Sequence, residues 1–473
     1  MRSNKVLQLE QLEEEHCWKL FAKHAFKDEN SQINHDFMDI AKRILTKCQG
    51  LPLALKTIGS LLCKKSSLVE WESILASEIW DLSEEESNII PALMLSYHHL
   101  PSHLKRCFSY CALFPKNYVF QKEELILLWM AENFLQCSQQ SMTMEAVGEQ
   151  YFKDLFSSSF FQRSRENEMH FIMHDLLNDL AKYVSGDFCF TFNDEESNHI
   201  LKMTRHFSFL GNRNTSPKLI ETLYNAKGLR TFLPLNILPF DVRWNMSISS
   251  TSIQELFSKF MFFRVILLPN CFQLEELPDT IGNLKHLRFL DLSSTCIKEL
   301  PDSICSLSNL QILKLRHCFY LKELPVNLCK LTNLHYLDLY GTKLRKMPMD
   351  VGKLKNLQVL CLFIVNKGSK VNIQQLGELN LHGALSIIAL QNIVNPFDAL
   401  AANMKNKVHL EKLSLSWNVK SNNSEKEREV LEKLQPSKQL KELSIFDYGG
   451  TRFPDWFGDN SLSNVLFLDL VNC

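Results

Sequence analysis

"LPDTIGNLKHLRFLDLSST", residues 277–295, returns three times with its wording changed and its spacing kept. The copies are "LPDSICSLSNLQILKLRHC" from Leu300, "LPVNLCKLTNLHYLDLYGT" from Leu324 and "MPMDVGKLKNLQVLCLF" from Met347, at offsets of 23, 24 and 23 along the chain. Each unit spells LxxLxL: Leu287, Leu290 and Leu292; Leu310, Leu313 and Leu315; Leu334, Leu337 and Leu339; Leu357, Leu360 and Leu362. Weaker copies run Phe263-Ile266-Leu268 before them and Leu410-Leu413-Leu415, Leu440-Leu443-Ile445 and Val465-Leu468-Leu470 after them.

A period in this range is the mark of a solenoid, and the LxxLxL spacing is the leucine-rich-repeat signature. Each unit supplies one short strand whose alternate leucines enter a shared core, with neighbouring strands about 4.8 Å apart. The intervening residues are expected on the open concave face: Phe289, Asp291 and Ser293; Ile312, Lys314 and Arg316; Tyr336, Asp338 and Tyr340; Val359, Cys361 and Phe363. They mix aromatic and charged groups without a catalytic constellation, which suits protein binding. A solenoid needs a polar end cap. None follows "NVLFLDLVNC", so the array reads as cut short at Cys473.

At 473 residues the chain is expected to form about two to four domains. Hydrophobic residues at 45% and charged residues at 22% indicate a globular protein. The net charge of −1 gives no basic excess for nucleic acid. The longest apolar runs, such as "LILLWMA" at 125–131, fall short of the ~20 residues of a membrane span, and the first residues lack a signal-peptide core. A cytoplasmic protein is expected. Its fourteen cysteines show no CxxC pair or zinc spacing, so they read as reduced thiols. Cys107 and Cys111, four apart, suit one buried helix face better than a metal site.

Residues 1–200 carry no such repeat. "CWKLFAKHAF" (17–26) puts Trp18, Phe21, Ala22 and Ala25 on one helix face, and "HDFMDIAKRILTKC" (35–48) does so with Phe37, Ile40, Ala41, Ile44 and Leu45. In "GLPLA" (50–54), Gly50 reads as a helix stop and Pro52 as a first-turn proline. Pro101 and Pro115 break residues 89–135 into helices, with Glu123 and Glu124 in the first turn of the last. Residues 146–184 add a helix, a polar turn, a strand and a further helix. Three helices and a small β-wing make a winged helix; without a stripe of Lys and Arg it is not expected to bind nucleic acid. In "MHDLLNDLA" (173–181) the His174-Asp175 pair stands where the strand Phe171 to Met173 meets that helix. It is either a local turn device or a ligand contact.

"GLPLA", "CFSYCALFPKNYVF" (107–120), "MHDLLNDLA" and the repeats, in that order, resemble the plant nucleotide-binding (NB-ARC) leucine-rich-repeat immune receptors of the coiled-coil class. "LEQLEEEHCWKLFAKHAF" resembles the end of their nucleotide-binding subdomain. The resemblance implies a multidomain chain: an all-α helical subdomain (1–85), a winged helix (86–200) and an α/β repeat horseshoe (201–473). It further implies an ADP/ATP switch, oligomerisation on activation, and recognition of a pathogen effector or guarded host protein through the repeats. Pro52 would pack near the adenine and sugar. His174, in the switch motif Met173-His174-Asp175, would reach the ADP β-phosphate, while Asp175 would cap the helix.

The sequence contains no G-x-x-x-x-G-K-[ST] and no apolar run ending in paired aspartates for magnesium. In the family both lie upstream of where this chain begins, so it is expected to be N-terminally truncated, without enzymatic activity and without tight ADP or ATP binding alone. The alternatives are a ubiquitin-ligase-type repeat adaptor, whose F-box helices find no match in the part of the chain before the repeats, or a non-functional receptor remnant. No nucleophile motif supports a hydrolase.

Overall fold

The computed structural model describes residues 11–26, 35–82, 89–136, 142–165, 167–192, 200–210, 218–236, 246, 248–368, 373–417 and 423–473. The chain divides into two compact units, Met1–Thr191 and Phe192–Cys473. The division falls within a strand, Cys189–Phe192, shortly before the expected boundary at 200. The hydroxyl of Thr191 donates to the carbonyls of Ala112 and Leu113, and the Cys189 thiol to that of Ser109, which ties the start of this strand to the first unit.

That unit opens with helices α1 (Glu14–Ala25), α2 (His35–Lys47), α3 (Pro52–Leu62) and α4 (Leu68–Leu75). Phe21, Ile40, Ala41 and Ile44 are buried as the helical spacing predicts, around Trp71, which meets Phe21 and Phe37 edge-to-face. Leu9 and Glu10, the first residues of the segment resembling the nucleotide-binding subdomain, lie outside the described residues. Pro52 occupies the first turn of α3, where a missing N–H costs nothing. A capping box between Ser67 and Glu70 starts α4. The helical core crosses residue 85, because Ala92 and Leu95 of α5 (Pro91–His98) belong to it.

The winged helix follows: α6 (Ser102–Tyr110), β1 (Val119–Gln121), α7 (Lys122–Ala131), α8 (Met144–Ser157), β2 (Gln162–Arg163), β3 (His170–Ile172) and α9 (Asp175–Ser185). β3 pairs antiparallel with β1 on one side and β2 on the other. α7 is apolar on every side and accordingly buried from Leu125 to Ala131. Cys107 and Cys111 are fully buried, which pushes both thiols up and leaves them unreactive.

In the second unit, with β4 (Cys189–Phe192) at the division, seven strands pair in parallel: β5 (His206–Leu210), β6 (Thr231–Leu235), β7 (Val265–Leu267), β8 (Phe289–Asp291), β9 (Ile312–Lys314), β10 (Tyr336–Asp338) and β11 (Val359–Leu360). Their register lines up one buried column, Phe207, Phe232, Ile266, Leu290, Leu313, Leu337 and Leu360. β5 and β6 extend the array two units before the repeats read from the sequence, with Phe207, Phe209 and Phe232 packed ring against ring.

A second parallel sheet holds β12 (Leu362–Ile364), β13 (Gly383–Ile388), β14 (Leu410–Ser416), β15 (Glu442–Phe446) and β16 (Phe467–Val471). Between the sheets the inward phase slips by one residue. Phe363 is paired with Ile387 and fully buried, whereas Leu362 aligns with Ser386, Ser414 and Ser444 and is partly exposed. The expectation that Leu362 faces the core and Phe363 the open face is therefore reversed. The hydrogen bonds show why. The N–H groups of Leu268, Leu292 and Leu315 each donate to a carbonyl of the next strand. Leu339 N–H donates instead to Cys361 Sγ at 3.0 Å, and Cys361 O accepts from Ser386 across the new sheet. One residue serves both sheets and turns the chain between them.

Candidate functional site

Two places in the fold carry the sequence-derived site residues. The first is the junction of β3 and α9. Met173 is buried and anchors the junction, while His174 and Asp175 are exposed. The helix cap is His174, not Asp175: Leu176 N–H donates to His174 Nδ1 at 3.2 Å, and Asp175 is the first helical residue. Asp outranks His as a cap, yet the imidazole takes that position, next to the buried Met173. Asp175 then lies where the helix dipole favours a negative charge.

This bond assigns the tautomer. Nδ1 accepts, so it carries no proton, and the ring proton sits on Nε2. His174 thus uses one nitrogen to start α9 and keeps a second as a donor for an anion. α9 itself is pinned from below: Asn178 Nδ2 donates to the Phe114 carbonyl at 2.8 Å, Lys116 pairs with Asp179 at 2.8 Å, and Leu177, Leu180 and Ala181 are buried.

Pro52 is exposed at the opposite end of α3 from that helix's ties to the winged helix. Those ties are Ser60 to Ser159 (2.9 Å) and Lys64 Nζ to Ser158 Oγ (2.6 Å). Two turns and more of α-helix put them roughly 12 Å along the axis from Pro52. The ties of α3 to the winged helix therefore lie away from the end where Pro52 begins it. Among the described residues no three His, Cys, Asp or Glu side chains gather as a metal site.

The second place is the outward face of β8 to β10, and it is more closed than the alternation predicts. Phe289, Ile312, Asp291, Lys314 and Asp338 are all buried. The in-register row Asp291, Lys314, Asp338 alternates in sign, and Lys314 Nζ also stands 5.5 Å from the Phe289 ring and 5.6 Å from that of Tyr336. Strands at this spacing let long side chains cover one another, so pointing outward does not mean exposure. Ser293, Tyr336, Val359 and Cys361 are half-covered, and Phe363 belongs to the core. Exposure rises at the strand exits, where Arg316 and Tyr340 stand clear.

Sequence reasoning missed the ladder that holds these faces in register. Asn309, Asn333 and Asn356 each donate through Nδ2 to a carbonyl of the preceding repeat, Lys285, Ser308 and Thr332 respectively, at 2.7–2.8 Å. The recurrence of Asn immediately before a core leucine was the signal. Replacing His174 with Ala removes the cap and is expected to cost about 1 kcal/mol of stability in urea denaturation, whereas His174→Asn retains most of it. Equal losses from the two variants would contradict the capping role.

Residues 113–181 match the family described as "Disease resistance protein Winged helix domain", and residues 243–472 match a "Leucine-rich repeat region". An RPP13-like disease resistance protein of Arabidopsis thaliana is 44% identical over 99% of this chain and 45% of its own length. Disease resistance protein RGA2 of Solanum bulbocastanum is 37% identical over 98% of this chain and 44% of its own. The chain thus spans less than half the length of these relatives. No described helix is long and apolar enough to cross a membrane. Relatives aligned along nearly its whole length are plant disease resistance proteins, and the chain is similar to them through both its winged helix and its repeats.

Proposed function

We propose that this chain is part of a cytoplasmic plant immune receptor, the part that reads a partner protein through its repeats and carries the lid of an ADP/ATP switch. The observation that carries the reading is the β3–α9 junction. There a buried Met173 presents His174 with Nε2–H free for an anion, inside a winged helix that the repeats follow. The exposed donor and the open start of α3 at Pro52 fit the edge of a bound nucleotide. When bound, the nucleotide would supply the phosphate that His174 holds and so keep the winged helix in its resting position. His174 would orient that phosphate and Pro52 would pack against the base and sugar, while binding strength would come from a P-loop that this sequence does not contain. Oligomerisation follows release of this hold. The ligase-adaptor reading is not favoured, because the relatives align through the helical subdomain and winged helix as well as through the repeats.

Isothermal titration of the full chain with ADP is expected to give no measurable binding; micromolar affinity would overturn the division of labour between His174 and the missing loop. For the repeats, a photo-crosslinking residue replacing Tyr336 or Tyr340 in plant cells is expected to trap a partner protein that the same probe at Lys353 does not. Equal trapping at all three positions would contradict recognition through the strand face.

A further inference from the structure

The exits of β9 and β10 form a patch whose chemistry selects its partner. Arg316 stands over the Tyr340 ring, its guanidinium carbon 4.7 Å from the ring centroid. Tyr340 meets the His317 ring edge-on at 5.5 Å, and His317 meets Phe319 at 5.6 Å. The backbone holds this row together, with His317 N–H donating to the Tyr340 carbonyl at 2.7 Å. Phe319 and Tyr340 nevertheless remain 52% and 54% exposed. Two large rings and a stacked arginine left in water are the residue types that dominate protein interfaces.

The stretch of chain that carries them is predominantly basic. Residues 312–346 hold seven Lys and Arg against two acids, whereas residues 275–302 hold three against six. Both acids of the basic stretch are engaged. Glu323 pairs with Lys346 at 2.9 Å. Asp338 is buried and accepts from Tyr340 N–H and the Cys361 thiol, both at 3.0 Å. Its other oxygen lies 3.9 Å from Arg316, beyond hydrogen-bond reach. Arg316 therefore keeps an exposed guanidinium on an aromatic support, without a hydrogen bond to Asp338, and such a group can take a carboxylate in bidentate fashion.

We propose that this patch binds an acidic segment of a partner protein, with a carboxylate on Arg316 and a flanking apolar side chain on Tyr340 and Phe319. The inference rests on the reading of the repeats as a protein-recognition face and adds the chemistry of the partner. Single-stranded RNA could use the same arginine and rings. It is disfavoured because the whole chain carries a net charge of −1 and lacks the basic excess that drives binding to a phosphate backbone.

The test uses the full chain at physiological salt and three labelled probes followed by fluorescence anisotropy. They are a peptide alternating Glu with Leu and Tyr, the same peptide with Gln at every Glu, and a uridine dodecamer. The acidic peptide is expected to bind at least tenfold more tightly than the Gln peptide and the dodecamer. Arg316→Gln, checked for an unchanged melting temperature, is expected to lower its affinity at least tenfold, while Lys355→Gln leaves it within twofold. Equal binding of the two peptides, tighter binding of the dodecamer, or an Arg316→Gln variant within twofold of the parent would each overturn the proposal. So would failure of both peptides to bind; the wider reading of the repeats would then still stand or fall on the crosslinking result.

Discussion

A single column of apolar side chains, one per strand from Phe207 to Leu360, is what the second unit depends on. Each member is worth about 1.5–3 kcal/mol when taken from water, and none of the short strands could bury its own share alone. Stacking in register does it for all of them together. The asparagine ladder and the strand hydrogen bonds then follow the column. The outer face is set by the same constraint. Once the leucines are inside, Asp291, Lys314 and Asp338 must meet in one row, and they cover each other there.

The winged helix is organised by different contacts. Its small sheet delivers the chain to α9 through the buried Met173. The consequence for His174 is chemical. A cap on Nδ1 selects the tautomer whose remaining proton points away from the helix. Local folding and the proposed contact with a phosphate thus use opposite ends of one ring, so the question of turn device or ligand contact need not have a single answer.

Much of this was legible in the residues, and the failures have physical causes. The four central repeats were plain because their leucines recur at an almost constant interval, as Leu290, Leu313, Leu337 and Leu360 show. The step from Phe207 to Phe232 is slightly longer than that interval and the step from Phe232 to Ile266 much longer, so β5 and β6 broke both the spacing and the residue type. Helix starts at Pro52 and before Leu125 followed from proline and acid placement, but the cap at α9 did not, because intrinsic preference favours Asp and the helix begins one residue earlier, directly after the buried Met173. Exposure on the strand face was overestimated, since alternation reports direction and not the cover given by neighbouring strands. The slip at Cys361 was hidden for another reason. "LCLFIV" is apolar at nearly every position, so either phase satisfies the pattern, and only the hydrogen bonds of Cys361 decide.

That slip governs which side chains a partner can reach, and it is open to direct measurement. Leu362→Cys and Phe363→Cys variants of the full chain can be treated with a thiol-alkylating reagent under native conditions and read peptide by peptide in a mass spectrometer. The account predicts rapid modification at position 362 and protection at 363 until the protein unfolds. Protection at 362 with rapid modification at 363 would mean that one uninterrupted repeat phase runs through both sheets, contrary to the structure described.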